Sequence, residues 1–343
     1  MGGGRALSMK IVFFGTPDYV VPILEAVNKH FKTKFESPIV AVVTKKPYTD
    51  KEGKEVFSEV DHWAHKRNIP KFYSAQEWLD SGIKADLGIL ASYGAIIPDL
   101  AIKGLKLGIL NLHPSLLPKY RGSSPIPATL AMGDTQTGVS IIKLDEKLDH
   151  GPVMTFFKEE ILPHDTYENL RARLFNRGAE ALVEMLPAFT SGKIKPKPQN
   201  HEEAIFTREL KREDGFLPID LILPTLQGAS FKGRYSIPFI KSQNEVIPDA
   251  NFIERYLRAL TPWPGIYTQF DGKRLKILKV HTNVIPAKAG IHTNTGSPIR
   301  SGMTQNMRLV IDTVQLEGKN EVTFKQFVEG YPGSPFSALL HHE

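Results

Sequence analysis

The densest set of polar groups in an otherwise apolar setting is Asn111-Leu-His113-Pro-Ser-Leu-Leu-Pro118-Lys-Tyr-Arg-Gly122-Ser-Ser-Pro-Ile126. It starts where an apolar run ends. In extended chain, residues two apart share a face, so the Asn111 amide and the His113 imidazole converge on one spot. That pair could hold a developing oxyanion, or the imidazole could take up a proton; a histidine here could equally be a hydrogen-bonded core side chain. Prolines at 114, 118, 125 and 127 stiffen the chain beyond His113. A second cluster is Leu144-Asp-Glu-Lys-Leu-Asp149-His-Gly151-Pro152. Asp149, two before a glycine, is either a turn former or a carboxylate facing the same cleft as His113. In the cleft it would steady a charged imidazole or act as a base through water. Asp145 and Glu146 read as a solvated loop.

These residues need a scaffold, and the apolar runs around them supply one. Lys10 to Gly15, Ile39 to Val43, Leu87 to Ala91, Gly108 to Leu112 and Gly138 to Lys143 read as strands, and the first has apolar residues on both faces. Helical stretches lie between them, beginning with one that buries Val20, Val21, Leu24 and Val27. The pattern predicts a doubly wound α/β domain with a mostly parallel sheet, and ligands of such sheets sit beyond the carboxyl ends of the strands. Leu162 to Ser191 turns helical, with Leu170, Leu174, Ala179, Leu182 and Met185 as inner positions. Gly192-Lys-Ile-Lys-Pro-Lys-Pro-Gln199 then alternates cations with prolines and reads as a linker. A helix from Asn251 to Leu260 leads to short strands at Ile266 to Phe270, Leu275 to Val280, Leu309 to Val314 and Glu321 to Phe324, the pattern of a small C-terminal β-barrel. Asp214 to Pro248 and Asn283 to Gln305, rich in Gly, Pro, Ser and Asn, read as surface insertions. The expected organisation is therefore a catalytic domain over 9–190, a linker over 191–207, a smaller barrel over 208–330, and tails at 1–8 and 331–343.

Composition narrows the chemistry. The 343 residues are 41% hydrophobic and 23% charged, ordinary for a soluble globular protein, and the default location is cytoplasmic. The chain has no cysteine, which removes disulfides, thiolate nucleophiles and iron–sulfur clusters. The first turn, Gly15-Thr16-Pro17-Asp18, lacks the G-x-G-x-x-G spacing and reads as a tight turn into a helix capped near Thr16 or Asp18. The net charge of +6 permits a nucleic-acid partner. Between Asp271 and Arg308 seven cations (Lys273, Arg274, Lys276, Lys279, Lys288, Arg300, Arg308) face one acid, either a solvated face or a binding surface.

Taken together, Asn111-x-His113-x-Ser-Leu-Leu-Pro-x-x-Arg-Gly122 followed by Asp149-x-Gly151 resembles the formyltransferases that use 10-formyltetrahydrofolate. Within them the similarity is closest to the methionyl-tRNA formyltransferases, through Phe14-Gly-Thr-Pro-Asp18, Ser92-Tyr-Gly94, Leu257-Arg-Ala-Leu-Thr-Pro-Trp-Pro-Gly265 and Leu316-Glu-Gly-Lys319. The resemblance implies formyl transfer from the folate to the α-amino group of methionyl initiator tRNA. Asn111 and His113 would stabilise a tetrahedral oxyanion and Asp149 would assist the proton transfer, with no metal. It implies a folate pocket at Ser92, Tyr93, Gly94, Ile96, Ser115, Leu116, Leu117, Pro118, Leu144 and Asp145. It also implies tRNA contacts from Lys45, Lys46, Lys51 and Lys54, from Lys193, Lys195 and Lys197, and from Lys273, Arg274 and Lys276. The expected assembly is a monomer with no membrane attachment.

Family members carry an arginine- and glycine-rich loop after the second strand. Lys45-Lys-Pro-Tyr-Thr-Asp-Lys51-Glu-Gly-Lys54 keeps charge there but loses the Gly-Arg-Gly core, and lysine cannot make the bidentate phosphate contact of arginine. The alternative within enzymes is a sugar-nucleotide N-formyltransferase with the same donor and the same Asn–His–Asp core.

Overall fold

The computed structural model describes residues 9–34, 36–241, 245–285 and 307–337. They form two compact units. The first takes in residues up to 126, 135–164 and 168–207, and the second 127–134, 165–167 and the chain from 208 onward.

The first unit is built on a seven-stranded sheet: β1 (Ile11–Gly15), β2 (Ile39–Val43), β3 (Lys71–Phe72), β4 (Leu87–Ala91), β5 (Ile109–His113), β6 (Gln136–Lys143) and β7 (Val153–Glu160), in the order β7-β6-β5-β4-β1-β2-β3. Helices α1 (Val21–Phe31), α2 (Glu59–His65), α3 (Ala75–Asp80), α4 (Asp99–Lys103) and α5 (Pro125–Met132) fall between successive strands, and α6 (Tyr167–Thr190) follows the last. The strands from β5 to β3 run parallel. All five residues of β1 are buried, as both faces of a covered sheet require. Each inner position expected of α6, Leu170, Leu174, Ala179, Leu182 and Met185, is buried. Parallel pairing brings the ends of β1, β4 and β5 to one edge, so Thr16, Ser92 and His113 start loops on the same side.

One feature departs from the sequence expectation, and a second was left unspecified by it. Thr16 caps no helix; its hydroxyl donates to the Tyr93 carbonyl at 3.2 Å and accepts the Lys45 N–H at 3.3 Å, stitching three loops together. Moreover β6 is antiparallel to β5, with His113 opposite Ser140 and Leu110 opposite Lys143. The loop after β6 therefore begins beside Ile109, whose carbonyl accepts the Leu144 N–H at 2.8 Å, and must return toward His113.

In the second unit, β8 (Ile266–Phe270), β9 (Lys273–Val284), β10 (Met307–Leu316) and β11 (Glu321–Thr323) form an antiparallel sheet of four strands in sequence order. Leu275 and Ile277 of β9 turn inward while Lys273 and Lys276 stay exposed, the alternation of a half-buried strand. The stretch 214–248 is not a surface insertion. It contains α7 (Ile219–Leu226), and Leu217, Leu221, Ile222, Ile237 and Phe239 are all buried. Phe239 and Phe252 stack on Tyr256 of α8 (Ala250–Leu260) at 6.4 and 5.2 Å, and the Tyr256 hydroxyl donates to the Asp214 carbonyl at 2.5 Å. Glycine and proline there shape turns around core residues, and composition alone cannot separate that from a solvated loop. Asn283 and Val284, expected to open the second insertion, end β9 and pair with Arg308 and Met307; residues 286–306, with Lys288 and Arg300, lie outside the described residues. Residues 1–8 and 338–343 of the expected tails lie there too. Phe336, by contrast, is fully buried, edge-on to Phe324 at 5.3 Å.

Candidate active site

Asn111 and His113 stand on β5 with one residue between them, and both side chains reach one carboxylate. Asn111 Nδ2 donates to Asp149 Oδ1 at 3.1 Å, and His113 Nδ1 lies 3.5 Å from Asp149 Oδ2. The same Oδ2 accepts the Gly122 N–H at 2.7 Å. All three side chains are at least 90% buried. The opposite ring nitrogen, His113 Nε2, is 2.9 Å from the Tyr120 carbonyl. A carbonyl only accepts, so Nε2 is the donor and Nδ1 is the nitrogen turned to Asp149.

The loop that presents Asp149 is closed at its neck by the Lys143 N–H on the Pro152 carbonyl at 3.0 Å. Gly151 sits at that neck, where a Cβ would collide with the Lys143 carbonyl. Gly122 is held the same way: its φ is 102°, and a Cβ would meet the Thr207 carbonyl. The two glycines of the motif are thus demanded by close backbone approach, one beneath the carboxylate and one beside it.

Sequence reasoning did not single out the layer behind Asp149. Arg121, 3% exposed, donates through Nε and Nη2 to Gln199 Oε1 at 3.2 and 2.7 Å and through Nη2 to His201 Nδ1 at 2.8 Å. Gln199 Nε2 in turn donates to the Asp149 and Gly151 carbonyls. The segment read as a linker thus carries structure: Lys197 exchanges backbone bonds with Val153, and Phe206 and Thr207 pair with Arg121 and Gly122. No local pattern marks Gln199, because its partners are 48, 50 and 78 positions away.

His150 stacks on His201 at 3.8 Å, the rings within 6° of parallel, and His150 Nδ1 is 2.7 Å from Asp145 Oδ2. Desolvation holds the His201 imidazole below its usual range, reinforced by His150, Arg121 and Lys147. The neutral ring is the form that can accept from Arg121. An unfolded histidine titrates near about 6.5. Folded His201 binds its proton less readily, so its contribution to stability is complete above that value and is lost as the pH falls through its lowered folded pKa. Melting curves between pH 8 and 5 should show a steeper acid loss for the parent than for His201→Gln, which keeps an acceptor and does not titrate. Parallel curves would remove His201 from the account.

The residues expected around a folate divide into two groups. Tyr93 is 4% exposed, edge-on to Phe14 at 5.8 Å, and burial raises its phenol pKa; Ser115 is fully buried and donates to the Lys119 carbonyl. These two side chains brace the interior. Ser92 and Gly94 lie at positive φ, Ile96 is 94% exposed, and Leu116, Leu117, Pro118 and Asp145 are half-buried. Leu144 packs against the cluster that holds Tyr93 and Ile97, and Lys103 bridges Asp99 and Glu146, so the 92–97 and 144–149 loops adjoin.

Of the expected tRNA contacts, Lys45, Lys46, Lys51 and Lys54 are exposed on or beside a hairpin pairing Tyr48–Thr49 with Glu55–Val56, whose turn is closed by Asp50 accepting the Glu52 and Lys54 amides. Lys193, Lys195 and Lys197 are exposed in the first unit. Arg274 in the second is tied to Glu317 at 2.5 Å. Among the described residues no cluster of histidine and carboxylates could hold a metal, and no helix is long and apolar enough to cross a membrane.

Comparison with known proteins supplies an independent line. A family model described as formyl transferase matches residues 9–186, and one described as formyl transferase, C-terminal domain, matches 248–332. The methionyl-tRNA formyltransferase of Koribacter versatilis is 34% identical over 331 residues, 94% of this chain and 96% of the relative. That of Thermus thermophilus is 30% identical over 339 residues, 96% of this chain and 99% of the relative. Among solved structures, the N-formyltransferase from Helicobacter canadensis with folinic acid and dTDP-3-aminofucose superposes with a TM-score of 0.57 at 16% identity, covering 88% of this chain and 98% of that one. The methionyl-tRNA formyltransferase from Clostridium thermocellum gives 0.50 at 16% identity, covering 90% and 98%. These two likenesses speak to the fold.

Proposed function

The chain belongs to the formyl transferase family and is a formyl-transferring enzyme whose relatives are methionyl-tRNA formyltransferases; from that premise we propose that it formylates the α-amino group of methionyl initiator tRNA from 10-formyltetrahydrofolate, at Asn111, His113 and Asp149. One observation carries the assignment of residues: a buried carboxylate shared by an amide, an imidazole and a backbone N–H.

The bound folate supplies an activated formyl group and a nitrogen leaving group. The residues fit such a ligand: Ile96, Leu100 and Leu148 expose apolar side chains on or beside the 92–97 and 144–149 loops. In the reaction the amine nitrogen bonds to the formyl carbon, the bond from that carbon to the folate nitrogen breaks, and one proton moves from the amine to the departing nitrogen. Asp149 holds one N–H of the Asn111 amide, which fixes the amide plane and leaves the other N–H to donate to the oxygen as it gains charge. His113, anchored through Nε2, turns Nδ1 toward Asp149: carrying a proton, Nδ1 donates to the oxygen as it gains charge, and without one it accepts the amine proton. Asp149 takes up the amine proton directly or through a water and orients both partners.

A tRNA substrate also accounts for the exposed cations, since phosphate neutralisation dominates such affinities. Lys273 and Lys276 are exposed on β9, whereas Arg274 meets a phosphate only by giving up Glu317.

The test is to incubate the protein with 10-formyltetrahydrofolate and charged initiator methionyl-tRNA. Formylmethionine should form, none should form with uncharged tRNA, and tRNA binding should fall steeply as salt rises. Formylation of a dTDP-aminosugar in place of the charged tRNA would overturn the proposal in favour of a sugar-nucleotide enzyme.

A further inference from the structure

Gln199 lies between the stretches that the two family models match. Its side chain is nonetheless buried and saturated. Nε2 donates to the Asp149 carbonyl at 2.9 Å and to the Gly151 carbonyl at 2.7 Å, while Oε1 accepts from Nε and Nη2 of Arg121. The two carbonyls flank His150, so one amide pins the chain on both sides of the turn that carries the carboxylate. Asp149 itself has a φ of 44°, a left-handed conformation that persists in a residue with a Cβ only when its surroundings over-determine it.

We infer that Gln199 is a positioning residue for formyl transfer: by holding the left-handed backbone at Asp149, it keeps the carboxylate on Asn111, His113 and Gly122. The inference rests on the reading of Asp149 as the proton-handling group. Arg121 completes the device, because its fork fixes which end of the Gln199 amide points at the two carbonyls. A carboxylate at this position would satisfy Arg121 but turn lone pairs toward both carbonyls, so the two donors are the reason for glutamine.

Two variants separate positioning from filling space. Gln199→Glu keeps the shape and the Arg121 contact; Gln199→Met keeps the volume and removes the polar bonds. Both are compared with the parent and with Asp149→Asn in steady-state kinetics with methionyl-tRNA and 10-formyltetrahydrofolate, and by hydrogen exchange at the Gly122 amide, which reports directly on Asp149 Oδ2. Displacing a reacting group by ~1 Å costs up to about 100-fold in rate. We expect kcat to drop at least about 30-fold in both variants with each KM within about 3-fold, and Gly122 to exchange at least about 10 times faster. Parental kcat together with parental Gly122 exchange would overturn the inference. So would a joint change of kcat and KM with Gly122 still protected, which marks general destabilisation. If Asp149→Asn itself turns over at the parental rate, the acid–base reading fails instead, and Gly122 exchange still decides whether Gln199 holds the carboxylate.

Discussion

Replacing His113 by alanine is expected to lower kcat at least about 100-fold, and Asp149→Asn to do the same, with little change in overall folding. The two losses have different origins. Without the imidazole the proposed site loses the group whose Nδ1 lies beside Asp149 Oδ2, and the Tyr120 carbonyl loses the Nε2 donor. An asparagine at 149 fits the same space but carries no charge. Its amide also presents a donor where either Asn111 or Gly122 already offers one, so one of those contacts becomes donor against donor. On the proposed assignment the three groups act as a unit, so the double variant should be scarcely slower than either single one. Steady-state rates with charged initiator tRNA test this directly. Single variants within about 3-fold of the parent, or losses that multiply in the double variant, would show that the buried cluster is structural and the chemistry lies elsewhere.

Gly151→Ala is expected to destabilise the first unit by about 3 kcal/mol, the upper part of the usual range for forcing an extra methyl group into a packed site. The added carbon points into the Lys143 carbonyl, a backbone atom that cannot swing aside as a flexible side chain would. Relief requires the neck of the 144–151 loop to open, which breaks the Lys143–Pro152 backbone bond and releases Gln199 from the Gly151 carbonyl. A fall in melting temperature of about 6 to 12 °C corresponds to that energy for a unit of this size. Activity should fall further than the melting temperature alone explains, because the same movement displaces Asp149. An alanine variant that melts with the parent would mean that the neck is looser than its packing indicates. Gly192→Ala serves as the contrast: among the described residues beyond its chain neighbours, no heavy atom lies within 4 Å of its added carbon, so only the strain of a φ of 70° is felt.

The candidate site was legible in the sequence where its geometry is local. Asn111 and His113 share a face because they are two apart in a strand, and Asp149-x-Gly151 announces itself as a tight turn bearing a carboxylate. The apolar runs that became β1, β2, β4 and β8 need at most a one-residue adjustment, since each is bounded by turn residues. The stretch 214–248 was misread because glycine and proline signal turns without saying whether the residues between them are buried.

What the amino-acid order determined by itself was a set of chemical groups and the periodicities that aim them: an amide and an imidazole on one face, a carboxylate on a glycine turn, an α/β alternation around both. Only the tertiary structure decided that β6 runs antiparallel to β5, that its loop must therefore double back to deliver Asp149 to His113, and that Gln199 fastens that loop from some fifty residues further on. Periodicity is a property of neighbours along the chain. Strand direction and a distant hydrogen bond are chosen by the energy of the whole packed unit, and no short stretch of sequence carries that sum.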